Sequence, residues 1–177
     1  MSSPLIQCFP PVVDKNAATL ILGSMPGMAS LTASQYYAHP RNTFWPIMSQ
    51  LLGFLPEAAY AERLRALQTA GIALWDVLQA CERKGSLDAS IVIATQIAND
   101  FPCFLRLYPH IQHIFFNGGS AHAAFMRHVP GNCLPPHIRC TRLPSTSPAN
   151  AGITFIQKLA AWRIILDTIH PAGQHSV

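Results

Sequence analysis

The residue types best suited to chemistry are concentrated in two short stretches, residues 23–27 and 36–45. The first is Gly-Ser-Met-Pro-Gly and follows an apolar run, residues 18–22, that is typical of a buried strand. Glycine lets the backbone approach a ligand closely, and ligands of open α/β sheets bind beyond the carboxyl ends of the strands. The pattern predicts a binding loop that leads into a helix beginning near Arg41 or Asn42. A plain strand-to-helix connection is the alternative interpretation of the same residues.

The composition predicts a compact globular protein. The chain has 177 residues, of which 50% are hydrophobic and 11% are charged, so we expect a single domain over residues 1–177 with an irregular lead-in over 1–16. No apolar run approaches the roughly 18 to 20 residues that span a bilayer, and the N-terminus lacks the pattern of a secretory signal. We therefore expect a monomeric, cytoplasmic protein without a membrane segment.

The cysteines and the net charge restrict the possible ligands. The five cysteines include no closely spaced pair, so the sequence does not predict a metal site or an iron–sulfur cluster held by cysteines. We expect no metal and no organic cofactor. The formal net charge of +4 is compatible with a polyanionic partner but does not by itself indicate nucleic acid.

Apolar runs alternate with segments of helical periodicity along most of the chain. Strands are predicted at 18–23, 72–75, 111–116 and 138–143, and helices at 42–52, 57–70, 76–83 (one or two turns only), 99–109, 120–128 and 152–169. This alternation predicts an α/β fold, a three-layer α/β/α sandwich around a short, mainly parallel four-stranded sheet. The loops at 23–27, 117–119 and 144–150 then follow strand ends at one edge of the sheet and should form one site.

The motifs in this order resemble the uracil-DNA glycosylase superfamily. The resemblance lies in residues 23–27, in Tyr-Ala-His-Pro-Arg-Asn-Thr-Phe-Trp at 37–45, in Ala-Leu-Trp-Asp at 73–76 with Gly-Ser-Leu-Asp at 85–88, and in Leu-Pro-Ser-Thr-Ser-Pro-Ala at 143–149. The first two motifs are similar to the mismatch-specific branch, and the whole set is most similar to the hypoxanthine (deoxyinosine) branch. The resemblance implies a monofunctional DNA glycosylase that excises a deaminated base from double-stranded DNA after base flipping, in base excision repair. A G:U/G:T mismatch-specific glycosylase and a catalytically silent nucleic-acid-binding module of the same fold are the alternatives.

One position departs from the superfamily pattern. Branches that remove uracil carry Asp or Asn three residues into the first motif to position the attacking water, whereas this chain has Met25, which offers no suitable polar atom. The resemblance to the hypoxanthine branch transfers this role to Asn42.

The resemblance also implies roles for the remaining site residues. His39 is expected beside the sugar or phosphate, or else as an anchor of its loop; Tyr37, in preference to Tyr36, is expected to stack on the flipped base. Asn117 is expected to donate a hydrogen bond to the base, although a turn role is equally compatible with its position. The base-binding set is Gly23, Ser24, Met25, Pro26, Tyr36, Tyr37, Phe44 and Asn117. The set expected at the DNA backbone is Arg41, Pro144, Ser145, Thr146, Ser147 and Pro148.

Two other chemistries find little support in the sequence. A bifunctional lyase needs an amine in the site, and Lys15, Lys84 and Lys158 all lie outside the three loops. A serine hydrolase using Ser24 and His39 would be expected to carry the Gly-x-Ser-x-Gly pattern, which is absent here.

Overall fold

The computed structural model describes residues 5–169, in which strands and helices alternate. The strands are β1 (Leu5–Gln7), β2 (Thr19–Gly23), β3 (Ile72–Asp76), β4 (Leu78–Glu82), β5 (Ile97–Ala98), β6 (His113–Asn117) and β7 (Arg139–Leu143). The helices are α1 (Met28–Ala33), α2 (Phe44–Leu52), α3 (Tyr60–Thr69), α4 (Phe101–Leu107), α5 (Gly119–His128), α6 (Phe155–Trp162) and α7 (Leu166–Ile169). Short 3₁₀ turns lie at Asp88–Ser90, Ile93–Thr95, Gly131–Cys133 and Arg163–Ile165.

The central sheet has four strands in the order β3-β2-β6-β7, and every neighbouring pair is parallel. Strand β2 is buried along its whole length. Its side chains alternate between two cores, with Leu20 and Leu22 in one and Ile21 in the other. A strand buried on both faces explains its uninterrupted apolar sequence. The predicted α/β fold with a four-stranded parallel sheet is confirmed.

A second sheet was not predicted. It has three antiparallel strands in the order β1-β4-β5. Residues 76–83 were expected to be helical, and this was wrong because β4 pairs with the distant strand β1, a contact that local periodicity does not reveal. The lead-in is likewise more regular than expected, since it contains β1 and a bridge between Val12 and Leu74. Residues 1–4 of that segment lie outside the described part of the chain.

Most helices occur where they were predicted, with shifted ends. Helix α2 begins at Phe44 and ends at Leu52, and the φ of 77° at the following Gly53 is the left-handed conformation of a C-cap. Asp100 caps α4, because its side chain accepts a hydrogen bond from the Cys103 N–H at 2.9 Å. The single helix predicted over 152–169 is interrupted by a 3₁₀ turn between α6 and α7. Within residues 5–169, no helix is both long enough and apolar enough to cross a membrane.

Candidate active site

A cleft of about 1110 Å³ opens at the carboxyl ends of the parallel strands. Its walls include the loops at 23–27, 117–119 and 144–150, which confirms that these three loops meet at one edge of the sheet. Residues 86–89, which follow β4, form a further wall. The strand ends therefore gather the polar loops of the sequence around one concave surface, the usual location of a ligand site in this architecture.

The part of the cleft wall formed by residues 23–27 depends on the absence of a side chain at Gly23. Gly23 is paired with Asp76 in the parallel register of β2 and β3. A Cβ atom added to Gly23 would lie 2.6 Å from Asp76 Oδ1 and 3.0 Å from the Tyr37 hydroxyl oxygen. The main-chain oxygens of Gly23 and Ser24 accept hydrogen bonds from the N–H groups of Val77 and Leu78, at 2.8 and 3.1 Å. Glycine at position 23 thus leaves room for two polar side chains to approach the floor of the cleft.

The two tyrosines occupy different environments. Tyr37 lines the cleft and has a φ of 54°, which is uncommon for a residue with a side chain. Its ring stacks on that of Phe44, with centroids 4.1 Å apart. Tyr36 is buried more deeply, where its hydroxyl donates to the Pro10 carbonyl at 3.2 Å, although part of it reaches the cleft wall. Tyr37 is therefore the less buried of the two tyrosines that line the cleft.

Phe44 does not lie where the sequence analysis placed it. It was assigned to the base-binding set, but it is wholly buried behind Tyr37 and is not part of the cleft wall. The correction follows from helix geometry: Phe44 is the first residue of α2 and lies on the face that packs into the core. Its contact with the cleft is indirect, through the Tyr37 ring.

Asn42 and His39 both line the cleft. Asn42 Oδ1 accepts a hydrogen bond from the Phe44 N–H at 3.0 Å, which fixes the side-chain amide at the start of α2. His39 Nδ1 accepts from the Arg41 N–H at 3.1 Å. That bond assigns the ring proton of the neutral imidazole to Nε2, so this nitrogen can donate to a ligand. Both side chains are therefore oriented by main-chain groups.

Asn117 and Thr146 join two of the loops. The Asn117 amide nitrogen donates to Thr146 Oγ1, and its amide oxygen accepts from the Thr146 N–H, each at 2.9 Å. The Thr146 carbonyl accepts from the N–H of Thr43 at 3.0 Å. Thr146 is wholly buried and its polar groups bond within the protein, so its assignment to the DNA-backbone set is corrected to an anchor of the loop. Asn117 lines the cleft and keeps its second amide hydrogen for another acceptor.

Removal of the Asn117 side chain should show how much its two hydrogen bonds to Thr146 contribute to stability. Asn117→Ala would leave the buried Thr146 N–H and hydroxyl without their partner, and we expect the free energy of unfolding to fall by about 2 kcal/mol. Urea denaturation at equilibrium, monitored by circular dichroism, measures this change in free energy. Asn132→Ala, an exposed asparagine outside the cleft, is the matched control and should unfold like the unaltered protein. Equal stability of the two variants would contradict the anchoring role.

The rest of the 144–150 loop is held by its own side chains and by α6. Ser145 Oγ accepts from the Ser147 N–H at 3.2 Å, and Ser147 Oγ accepts from the Ala149 N–H at 3.2 Å. The indole N–H of Trp162 donates to the Pro144 carbonyl at 2.9 Å. All residues of the predicted backbone set border the cleft (Arg41, Pro144, Ser145, Thr146, Ser147 and Pro148), although Thr146 itself is wholly buried. The serine hydroxyls accept from main-chain groups and retain their protons for an outside acceptor.

Two acidic side chains of the cleft were not assigned roles from the sequence. Asp76 is buried at the end of β3, and burial, followed by the nearby charge of Asp88, raises the pKa of its carboxyl to about 8, although Arg83 opposes the rise. Asp88 Oδ2 accepts from the Ser24 hydroxyl at 2.7 Å and so joins the first loop to residues 86–89. In the sequence, only the position of Asp76 directly after an apolar strand, in the Ala-Leu-Trp-Asp motif at 73–76, could have pointed to it.

Arg83 connects the loop at 23–27 with the residues that follow β4. Its side chain is wholly buried and lies 4.0 Å from Asp88. It donates to the carbonyl oxygens of Pro26 and Gly85, the latter at 2.9 Å. A buried guanidinium bonded to two loops fixes their separation, because moving either loop would leave a buried charge without a partner.

The donor set within residues 5–169 includes no group of three His, Cys, Asp or Glu side chains that could hold a metal ion. The polar groups of the residues that line the cleft are instead amides, hydroxyls, one imidazole, two carboxyls and the guanidinium groups of Arg41 and Arg142. Such a set suits hydrogen bonding to a neutral or anionic organic ligand.

The family comparison agrees with the architecture. A family model for the Uracil DNA glycosylase superfamily matches residues 10–175. A solution NMR structure of a Methanosarcina acetivorans protein, provisionally assigned as a uracil DNA glycosylase, superposes with a TM-score of 0.75 at 32% identity, covering 92% of this chain and 99% of that one.

Two curated relatives share substantial sequence with the chain. One from Methanosarcina barkeri, named hypoxanthine DNA glycosylase, is 41% identical over 113 residues, which are 63% of this chain and 70% of that protein. One from Methanosarcina acetivorans with the same name is 40% identical over 114 residues, 64% of this chain and 71% of that protein. With the family model matching nearly the whole chain, these similarities show that the protein belongs to the uracil DNA glycosylase superfamily.

Proposed function

We propose that the protein is a monofunctional DNA glycosylase that excises hypoxanthine from deoxyinosine in double-stranded DNA, in base excision repair, acting as a monomer in the cytoplasm. Membership of the superfamily supports the enzyme class, a hydrolase of N-glycosyl bonds. The names of the two curated relatives support the choice of base. The observation that carries the proposal is the position of Asn42, which lines the cleft and whose side-chain oxygen is fixed by the Phe44 N–H.

The proposed reaction begins with extrusion of the nucleotide from the duplex, since the glycosidic bond is inaccessible to the cleft while the base is stacked. The flipped base enters the cleft, where the Tyr37 ring offers a stacking surface backed by Phe44. The loop at 144–148 and Arg41 lie at the cleft wall, where they can contact phosphates without distinguishing the sequence.

In the chemical step, the oxygen of a water molecule bonds to C1′ while the bond between C1′ and N9 breaks. The electron pair of that bond leaves with the base, which takes up a proton, and the attacking water loses one. Asn42 Oδ1 has a lone pair beyond the one used by the Phe44 N–H, and we assign it the task of orienting this water. Because an amide is a poor base, its contribution is orientation and not proton abstraction.

The departing base carries negative charge and needs donors that are already in place. Asn117 has one amide hydrogen beyond its bond to Thr146, and His39 Nε2 is the protonated nitrogen of its ring. The three lysines of the chain are not part of the cleft wall, so none of these side-chain amines is placed to form a Schiff base with the sugar. The product of the proposed reaction is therefore an intact strand with an abasic site.

Single-turnover cleavage tests the proposal. End-labelled duplexes carrying one deoxyinosine, one deoxyuridine or one G:T mismatch are incubated with excess enzyme, and each sample is divided and treated with or without alkali. We expect alkali-dependent breaks at deoxyinosine, faster than at the other two sites. Faster cleavage at deoxyuridine or at the mismatch would assign the protein to another substrate class. Absence of cleavage in all three duplexes would favour a catalytically silent nucleic-acid-binding module.

A further inference from the structure

The proposed reaction creates positive charge on the deoxyribose. The electron pair of the glycosidic bond leaves with the base, and the charge that remains is shared between C1′ and O4′ of the sugar. A negative charge near the sugar lowers the barrier if it is already in place before the reaction. Asn42 and His39, to which roles in the reaction are assigned, carry no negative charge. The proposed reaction therefore needs an anionic group that these two side chains do not supply.

Two carboxyl groups border the cleft within the described residues, those of Asp76 and Asp88. Asp76 is 3% exposed, and burial, followed by the charge of Asp88, raises the pKa of its carboxyl to about 8 against the opposing effect of Arg83. Its neutral form therefore predominates at pH 7. Arg41 and Arg142, which also border the cleft, are cations. Among the residues that line the cleft, Asp88 is thus the one that offers a negative charge.

Two neighbours hold the Asp88 carboxylate in place. Its Oδ2 accepts a hydrogen bond from the Ser24 hydroxyl at 2.7 Å, and its Oδ1 lies 4.0 Å from Arg83 Nη1. Arg83 is wholly buried and is not part of the cleft wall, whereas the Asp88 side chain is 33% exposed and lines the cleft. The carboxylate is therefore the nearer of the two charges to a ligand in the cleft. A charge that is fixed in this way needs no reorganisation when the sugar becomes positive.

The depth of Asp88 in the cleft suits a contact with the sugar. A flipped nucleotide enters a pocket with its base foremost, because the sugar remains joined to the strand. Asp76 lies deep in the cleft, whereas Asp88 and Asn42 are both half-buried. The base then occupies the deeper part of the cleft, and the sugar lies at the shallower level of Asp88 and Asn42.

We propose that the Asp88 carboxylate faces the deoxyribose of the flipped nucleotide and stabilises the positive charge that develops on C1′ and O4′ as the glycosidic bond breaks. This deepens the proposed function and rests on it. Asn42 orients the water, Asp88 supplies the negative charge, and Ser24 and Arg83 hold Asp88 in position. A carboxylate that served only as the partner of the buried Arg83 would stabilise the fold without distinguishing a charged sugar from a neutral one.

Substitution of Asp88 tests the effect of its charge on the rate. Asp88→Asn removes the negative charge but keeps an oxygen that accepts from the Ser24 hydroxyl. We expect it to cleave deoxyinosine about 100-fold more slowly in single-turnover reactions. Asp88→Glu keeps the charge and should cleave at least about tenfold faster than Asp88→Asn. Glu57→Gln removes one negative charge at an exposed position outside the cleft and should cleave at the unaltered rate.

Binding of abasic analogues separates the charge of Asp88 from a structural role. One duplex carries a neutral tetrahydrofuran analogue, and the other carries a pyrrolidine analogue whose protonated ring nitrogen imitates the sugar cation. We expect the unaltered enzyme to bind the pyrrolidine duplex at least about tenfold more tightly, and Asp88→Asn to bind the two within about threefold of each other. A change in packing alone would weaken both complexes by the same factor. Fluorescence anisotropy at one fixed salt concentration measures both affinities.

The fold of the variant needs its own check. Asp88→Asn leaves the buried guanidinium of Arg83 without its ionic partner, which can destabilise the protein. Circular dichroism shows whether the variant is folded. If it is not folded, the preference of the unaltered enzyme for the pyrrolidine duplex over the tetrahydrofuran duplex decides the question.

The outcomes distinguish this inference from the function on which it rests. If the unaltered enzyme cleaves none of the damaged duplexes, the proposed function fails. If it cleaves deoxyinosine but binds the two analogues equally, the role of Asp88 is overturned and the glycosylase remains. The role is also overturned if folded Asp88→Asn cleaves at the unaltered rate, or if it keeps the full preference for the pyrrolidine duplex.

Discussion

Asn42→Ala is expected to cleave a deoxyinosine duplex about 10² to 10³ times more slowly than the unaltered enzyme, the usual effect of removing one preorganised polar group from an active site. The reason is the loss of the oxygen that we assign to orienting the attacking water. Single-turnover rates with enzyme in excess measure the chemical step directly, so the loss should appear in the rate and not only in binding. Met25 provides no polar atom to compensate.

Two further variants test whether the lower rate reflects the loss of the Asn42 side-chain oxygen and not a general effect of substitution. Asn42→Asp keeps an oxygen that accepts from the Phe44 N–H and from water, so it should retain more activity than Asn42→Ala. Asn132→Ala, outside the cleft, should cleave at the unaltered rate. If Asn42→Ala is folded by circular dichroism and cleaves deoxyinosine at the unaltered rate, Asn42 does not orient the water.

Trp162→Ala is expected to lower the free energy of unfolding by about 3–5 kcal/mol, the range for removing a large aromatic side chain from a core. Trp162 is wholly buried in α6 and packs edge to face against Phe44, with centroids 5.8 Å apart. Its indole N–H also holds the Pro144 carbonyl at 2.9 Å. The substitution therefore opens a cavity and releases one end of the 144–150 loop. Urea denaturation at equilibrium provides the measurement.

Trp162→Phe is the matched variant that separates packing from the hydrogen bond. It keeps an aromatic ring and loses the donor to Pro144, so we expect a cost of only about 1–2 kcal/mol. It should also slow cleavage, since the 144–150 loop, which we propose contacts the DNA backbone, loses one of its anchors. Similar stability losses in the alanine and phenylalanine variants would show that the hydrogen bond, and not the packing, dominates.

Much of the central sheet could be predicted from the sequence because strands β2, β3 and β6 are largely buried. The runs at 18–22 and 72–75 and most of 111–116 are apolar without a helical period, and each is followed by polar or glycine-rich residues. The segment 138–143 alternates apolar and polar residues, and its strand β7 lies at the sheet edge and is mostly exposed. That pattern is local, and it also located the three loops of the cleft. The small antiparallel sheet was missed because β4 becomes a strand only through pairing with β1 and β5, far away in sequence.

Only part of the candidate site could be predicted from the sequence. Motif order located Asn42, His39 and the loops, but it did not indicate that Phe44 would turn inward. The close approach of Asp76 and Tyr37 to Gly23 requires the absence of a Cβ at that glycine, which is a tertiary fact. The type and spacing of a single aspartate after an apolar strand do not predict that it is buried in this way.

The most direct test of the central claim is the identity of the base released. A duplex with one deoxyinosine is incubated with excess enzyme, and the small-molecule fraction is analysed by mass spectrometry, with the DNA strand analysed in parallel. We predict free hypoxanthine in a one-to-one ratio with abasic sites and an unbroken strand before alkali treatment. Release of no base, or strand cleavage that leaves hypoxanthine attached to its sugar, would contradict the assignment of this cleft as a hypoxanthine glycosylase site.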